Sequence, residues 1–308
     1  MSVASIQGAQ APRSIWNARW SRFRRHRLAV AATIFLVALG VACAGADLIA
    51  AALGVDPSTV DLFARFDPPS AKHLLGTDEI GRDVLVRLLH GGRISLMVGL
   101  LATALGGVFG VLIGVLSGYL EGRTDAFLMR FTDCVLSLPI IPLLIVLGAV
   151  DLAKLGLPSS WLNSPSVSFW RIVVVIALVD WTAIARISRA ATLSVKHRDF
   201  VQAARASGAG SLYNIFAHVL PNIATPLIVA CALTVGRVIL FESTLSFLGF
   251  GVVPPTPTWG NMLTNAQELV TSAPLLAIYP GLLILLTVIA VNLIGDGIRV
   301  AFDPRSDS

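Results

Sequence analysis

Apolar residues fall into six long stretches, at about 28–52, 94–120, 131–150, 171–190, 222–249 and 275–298, separated by polar connectors. Crossing ~30 Å of hydrocarbon takes ~20 mostly apolar helical residues. Each stretch is therefore predicted to be a membrane-spanning helix, and the chain an all-α integral membrane protein. Ile94 to Leu120 and Leu269 to Gly295 carry no charge, whereas Asp180 interrupts the fourth stretch and Arg186 closes it early. The first stretch opens with nineteen uncharged residues, Leu28 to Ala46. A cleaved secretory signal has an apolar region of only ~7–15 residues, so this stretch is read as a retained span. The predicted order is a basic segment at 1–27, a first helix at 28–52 and a polar segment at 53–93. A five-helix core at 94–302 and a tail at 303–308 complete it.

Within the second stretch, Gly106, Gly110, Gly114 and Gly118 recur every four residues. On a helix they line one smooth face, where a second backbone can approach closely. Pro139 and Pro142 are expected to kink the third span, each by removing an intrahelical hydrogen bond.

The polar connector at about 186–221 carries its own helical signals. Asp199 followed three residues later by Gln202 predicts a capping box. Gly208 and Gly210 permit a sharp break, and Ser211 is placed to cap a second helix that Pro221 does not continue smoothly. Val201, Ala204, Leu212, Ile215 and Phe216 give this helix–turn–helix an apolar side. Such an element either lies on the membrane surface or docks a cytoplasmic partner.

Composition strengthens the membrane reading. Of 308 residues, 55% are hydrophobic and 13% charged, with mean hydropathy +0.79, against roughly 25% charged residues in soluble domains. The net charge is +5, but the basic residues sit between apolar spans. That distribution fits the enrichment of Lys and Arg in cytoplasmic loops better than a nucleic-acid surface, and no nucleic-acid partner is expected. Arg13, Arg19, Arg22, Arg24, Arg25 and Arg27 precede the first span, which predicts a cytoplasmic N-terminus. Six crossings return the C-terminus, with Arg299 and Arg305, to the same side.

Asp180, Arg237 and Glu242 fall within apolar spans, where a lone charge is costly. They are candidates for a polar translocation path, or alternatively for structural ion pairs between helices. Arg237 and Glu242 are five residues apart and so do not share a helix face well. Cys43, Cys134 and Cys231 have no spacing that suggests a metal or redox site. The three lysines, Lys72, Lys154 and Lys196, do not follow glycine, so a phosphate-cradling Walker loop is missing. Neither HExxH nor SxxK occurs. The chain is read as a transport subunit without a catalytic site, metal or cofactor of its own.

Three segments carry a family resemblance. The run from Gln202 through Gly208 to Leu220-Pro221 resembles the EAA loop of permeases in binding-protein-dependent ABC importers. His73-Leu-Leu-Gly-Thr-Asp-Glu-Ile-Gly-Arg-Asp-Val-Leu, followed by Gly92-Arg-Ile-Ser-Leu-Met-Val-Gly, is similar to the C-type subunit of dipeptide, oligopeptide and nickel permeases. So is Leu245-Ser-Phe-Leu-Gly-Phe-Gly through Pro257-Thr-Trp-Gly. The match runs over about residues 20–305, with its segments in the family's order.

The resemblance implies a type I ABC importer permease in a bacterial plasma membrane, with both termini cytoplasmic. It implies a second homologous permease as partner, two ATPase subunits that bind ATP and Mg, and an extracytoplasmic substrate-binding protein. The implied cargo is di- or oligopeptides, with nickel or glutathione-type solutes as alternatives. A stand-alone secondary transporter is the rival reading. Gln202, Ala203, Ala204, Gly208, Ser211, Leu220 and Pro221 become the ATPase-coupling residues. Gln202 stands where the family usually has Glu; it keeps the expected cap but forms no salt bridge. Arg237, where the family tends to have a small residue, and Asp180 are further departures.

Overall fold

A computed structural model describes residues 15–56, 59–150, 154, 164–269 and 271–302; Arg13 and the tail at 303–308 lie outside them. The helices that position the site are α1 (Ile15–Arg25), α2 (Arg27–Ala44), α3 (Ala46–Leu53), α4 (Val84–Leu120), α5 (Gly122–Ser137) and α6 (Ile140–Gly148). They continue with α7 (Pro165–Lys196), α8 (Asp199–Ala206), α9 (Ser211–Phe247), α10 (Ala266–Leu269) and α11 (Leu275–Phe302). Among the described residues, five single helices are long and apolar enough to cross a membrane. The α5–α6 pair, bent by 87°, is the sixth candidate.

Helices α4 and α7 are among the spans that run longer than hydropathy predicted. Helix α4 starts ten residues before Ile94, because Asp83 caps it by accepting from the Val86 N–H at 2.8 Å. The charges that ended the apolar window are paired within the chain. Arg87 lies 3.4 Å from Asp78, while His90 and Arg93 reach Asp47 at 3.0 and 3.1 Å. Helix α7 likewise runs ten residues past Arg186. Arg186 pairs with Asp133 at 2.5 Å, and Arg189 grips Asp125 through two nitrogens at 2.5 and 2.6 Å. Paired charges interrupt an apolar pattern without interrupting a helix.

The prolines behave differently from the prediction. Leu138, preceding Pro139, is extended, as the clash with a following proline ring requires, and helix α5 ends there. Pro139 caps α6, and Pro142 sits in its first turn, where its missing N–H costs no intrahelical bond. The result is a break, not a kink. Pro221 is carried inside α9, because residues Ile215–Val219 form a π-turn. The widened turn accommodates a residue that has no N–H for the usual bond four residues back. The polar connector therefore joins the fifth span as one helix.

Helices α4 and α7 form the centre of the fold along the glycine face. A Cβ on Gly110 would meet the Trp181 carbonyl oxygen at 2.6 Å and the Ile184 Cβ at 2.9 Å. On Gly118 it would meet the Arg189 oxygen at 2.8 Å. Gly106 and Gly114 face the same helix. Val108, Leu112 and Leu116, two residues out of register with the glycines, are exposed on the opposite face. One side of α4 thus packs backbone to backbone while the other leaves branched chains exposed.

Candidate coupling site

The coupling candidates lie where α4, α7 and α8 end together. Tyr119 lies in the last turn of α4, and its carbonyl accepts from the buried Lys196 ammonium at 2.6 Å. A cation there suits the negative end of a helix dipole. The same ammonium reaches Glu121 at 2.8 Å. Glu121 (φ 56°) and Gly122 (φ 61°) both take left-handed backbone conformations, which turns the chain from α4 into α5. The hydrogen bond from Lys196, reinforced by its charge and by His197, holds the Glu121 carboxyl below its ordinary range.

Helix α8 is fastened to this junction. The Arg205 guanidinium lies 4.7 Å from the centroid of the Tyr119 ring and donates through Nε to the Tyr119 hydroxyl at 3.2 Å. Val201 and Ile215 are buried in an apolar cluster with Val115, Tyr119, Ile184 and Val195. Leu212 and Phe216, expected to share that side, instead point outward, Leu212 being 71% exposed. Phe200 and Tyr213 are also exposed, and each meets the His218 ring edge-on. The apolar positions of the loop thus divide between an inner anchor and an outer surface.

The predicted capping box is absent. Arg198 is the N-cap of α8, Asp199 lies in its first turn, and neither makes a side-chain cap bond. Gln202 instead donates through Nε2 to the Lys196 carbonyl at 3.0 Å, occupying one of the free carbonyls that end α7. An ionised glutamate would offer that carbonyl only acceptors. Ser211 begins α9 but caps nothing; Gly210 holds the N-cap position, and the buried Asn214 amide donates to Ala209 and Gly210 at 3.0 and 3.1 Å. Gly208, at φ 87° with open space around it, makes the turn. Ala203 is exposed, Ala204 half-buried, Leu220 packs on the inner cluster, and Pro221 is exposed.

Tyr119, Lys196 and Arg205 were not singled out in the sequence. Tyr119 ends an uncharged run and looks like any interfacial aromatic. The scarcity of lysine was the one signal that marked Lys196.

The three intramembrane charges do not form one cluster. Asp180 is 4% exposed and pairs with Arg237, Nη2 to Oδ1, at 2.7 Å; the Arg237 side chain is 42% exposed. Glu242 is fully buried and accepts from Ser95 and Ser246 at 2.9 and 2.7 Å.

Residues 110–308 match the family described as binding-protein-dependent transport system inner membrane component. Residues 14–69 match the N-terminal TM domain of oligopeptide transport permease C. The chain is 40% identical over 289 residues to a putative peptide permease protein of Brucella suis biovar 1, covering 93% of this chain and 90% of that protein. It is 38% identical over 292 residues to the di/tripeptide transport system permease protein DppC of Pseudomonas aeruginosa, with 93% and 91% covered. It is 36% identical over 297 residues to the glutathione transport system permease protein GsiD of Escherichia coli, with 95% and 91% covered. These matches join the helical core and the N-terminal span in a single chain that works with an ATPase and a substrate-binding protein and carries no enzymatic activity itself. The chain belongs to the inner-membrane permease family of binding-protein-dependent ABC importers, as a multi-pass subunit of the C type.

Proposed function

We propose that this permease forms half of the translocation path of a short-peptide importer, paired with a second, homologous permease, and that α8 receives the stroke of an ATPase subunit. The peptide assignment rests on the similarity to the Brucella suis and Pseudomonas aeruginosa proteins. The similarity to GsiD supports glutathione, itself a small peptide, as the second reading. On this reading two ATPase subunits bind ATP and Mg, both termini are cytoplasmic, and the basic segment at 1–27 and the tail at 303–308 lie on the ATPase side.

One observation carries the coupling role. Helix α8 is fastened inward to α4 and α7 through Arg205–Tyr119 and Gln202–Lys196, while Phe200, Leu212, Tyr213 and Phe216 remain exposed beside it. A patch of large apolar side chains at this end of the molecule supports reading it as a protein–protein surface. Movement of α8 would carry the ends of α4 and α7 with it, since those contacts leave little slack. Arg237, half exposed beside Asp180, is the charge on this chain suited to screening a peptide carboxylate in the path.

The test is ATPase stimulation by loaded binding protein in vesicles containing the whole transporter. Ala204→Asp puts a charge beside the docked face, at a cost of about 1–3 kcal/mol if it is left unpaired. Stimulation should fall at least several-fold while the permease stays in the membrane. Unchanged stimulation would remove α8 from the transmission route.

A further inference from the structure

At the end of the core opposite α8, the segment between α9 and α10 folds back between α4 and α9. Trp259 and Thr258 are fully buried there, and the indole N–H donates to the Leu88 carbonyl at 3.0 Å. The approach is close enough to need glycine. A Cβ on Gly260 would meet Ser243 Cα at 2.6 Å, and one on Gly92 would meet the Trp259 ring at 2.7 Å. Backbone N–H groups buried this way must find acceptors within the protein.

Two serines provide them. Ser95 on α4 accepts from the Trp259 N–H at 3.2 Å, and Ser246 on α9 accepts from the Val252 N–H at 3.4 Å. Each serine also donates its proton to a different oxygen of Glu242, Ser95 to Oε2 at 2.9 Å and Ser246 to Oε1 at 2.7 Å. Ser243 adds a longer contact to Oε2 at 3.5 Å. A hydroxyl has one proton and two lone pairs. With its proton held by the carboxylate, each serine turns a lone pair toward the segment.

We propose that Glu242 is a positioning residue: it orients Ser95 and Ser246 so that residues 252–259 stay seated between α4 and α9, and solute uptake requires that seating. Val252 and Ser246 also line a cavity of about 290 Å³ shared with Asp78, Arg82 and Arg87. Release of the segment would therefore remove one wall of a charged cavity at that end. The inference is independent of the coupling role of α8.

The experiment is hydrogen exchange of the Val252 and Trp259 amides in the whole transporter in lipid nanodiscs, alongside peptide uptake in vesicles. Glu242→Gln keeps the shape but replaces one acceptor oxygen with an N–H donor, so only one serine stays correctly oriented. Exchange should then rise roughly tenfold at one of the two amides or both, the scale of one lost hydrogen bond, with a comparable fall in uptake. Ser95→Ala should free the Trp259 amide and leave Val252 protected, a selectivity that general loosening would not produce. Should Glu242→Gln fail to assemble, Ser95→Ala alone decides. Protection of Trp259 in Ser95→Ala, protection of both amides in Glu242→Gln, or normal uptake despite faster exchange would overturn the proposal.

Discussion

Where α8 meets α4 and α7, a buried apolar anchor at Val201 is joined by polar and aromatic contacts, and Phe200, Leu212, Tyr213 and Phe216 are left outside. Where the 252–259 segment meets α4 and α9, the arrangement is reversed. There the tryptophan is buried, the backbone comes within glycine contact, and a carboxylate with two serines satisfies the buried N–H groups. The first region leaves large apolar side chains exposed, whereas the second buries its tryptophan within the chain. The difference teaches where the proposed partner would dock: the exposed apolar surface at α8 is tied to the end of α4 through Arg205 and Tyr119.

Both regions are built on α4, whose glycine face packs against α7, so the largest effect is expected from breaking that contact. Gly110→Leu drives a side chain into the Trp181 carbonyl and Ile184. The cost should reach or exceed the roughly 1–3 kcal/mol typical of overpacking. Fluorescence-detected size exclusion should show little intact transporter, and both ends should fail together. A normal assembly profile would mean that the glycine face only permits close packing and does not require it.

Gln202→Glu separates the latch from the rest. Although it restores the family's usual residue, it removes the donor to the Lys196 carbonyl, at about 0.5–1.5 kcal/mol for one hydrogen bond. Assembly and the protection of Trp259 should be unchanged, while binding-protein-stimulated ATPase activity falls by a few-fold. Full activity would show that Gln202 does not fasten α8.

The smallest effect expected is that of acid on Glu121, whose half-exposed carboxyl is held below the ordinary value of 4.5 by Lys196. A lowered carboxyl stabilises the fold above its unfolded value and loses that contribution as pH falls through the folded one. The Lys196–Glu121 contact should therefore be intact at neutral pH and weaken only below 4.5. Coupling between pH 6 and 8 should not depend on it, and Glu121→Gln should leave the pH profile flat over that range. A change in that window traced to Glu121 would contradict the lowered value.

The all-α class and the positions of the apolar helices were legible because hydrocarbon length sets a minimum apolar run. The α4 glycines were legible as a face because their spacing matches a helix turn. The starts and stops were less so. Arg93 and Arg186 read as ends of spans, yet each is neutralised by an acid elsewhere in the chain. The capping box at Asp199 failed for a similar reason: the end of α7 offered Gln202 a carbonyl that local sequence does not reveal. Tyr119–Arg205 and Ser95–Glu242 join residues 86 and 147 positions apart, and no local period marks them. Glu242 could be recognised as an unusual charge in a span, but its serines became meaningful only once α4 and α9 lay side by side.

The central claim, that α8 is the element touched by the ATPase, is tested most directly by a cross-link from its exposed end. Ala206→Cys, with the exposed Cys134 changed to Ser, should form a covalent adduct with the ATPase subunit when a maleimide–benzophenone reagent is attached to its thiol in membranes and irradiated, because the benzophenone inserts into any neighbouring C–H bond. ATP and loaded binding protein should alter its yield. Absence of any adduct from position 206, in vesicles where the same transporter hydrolyses ATP normally, would contradict the account.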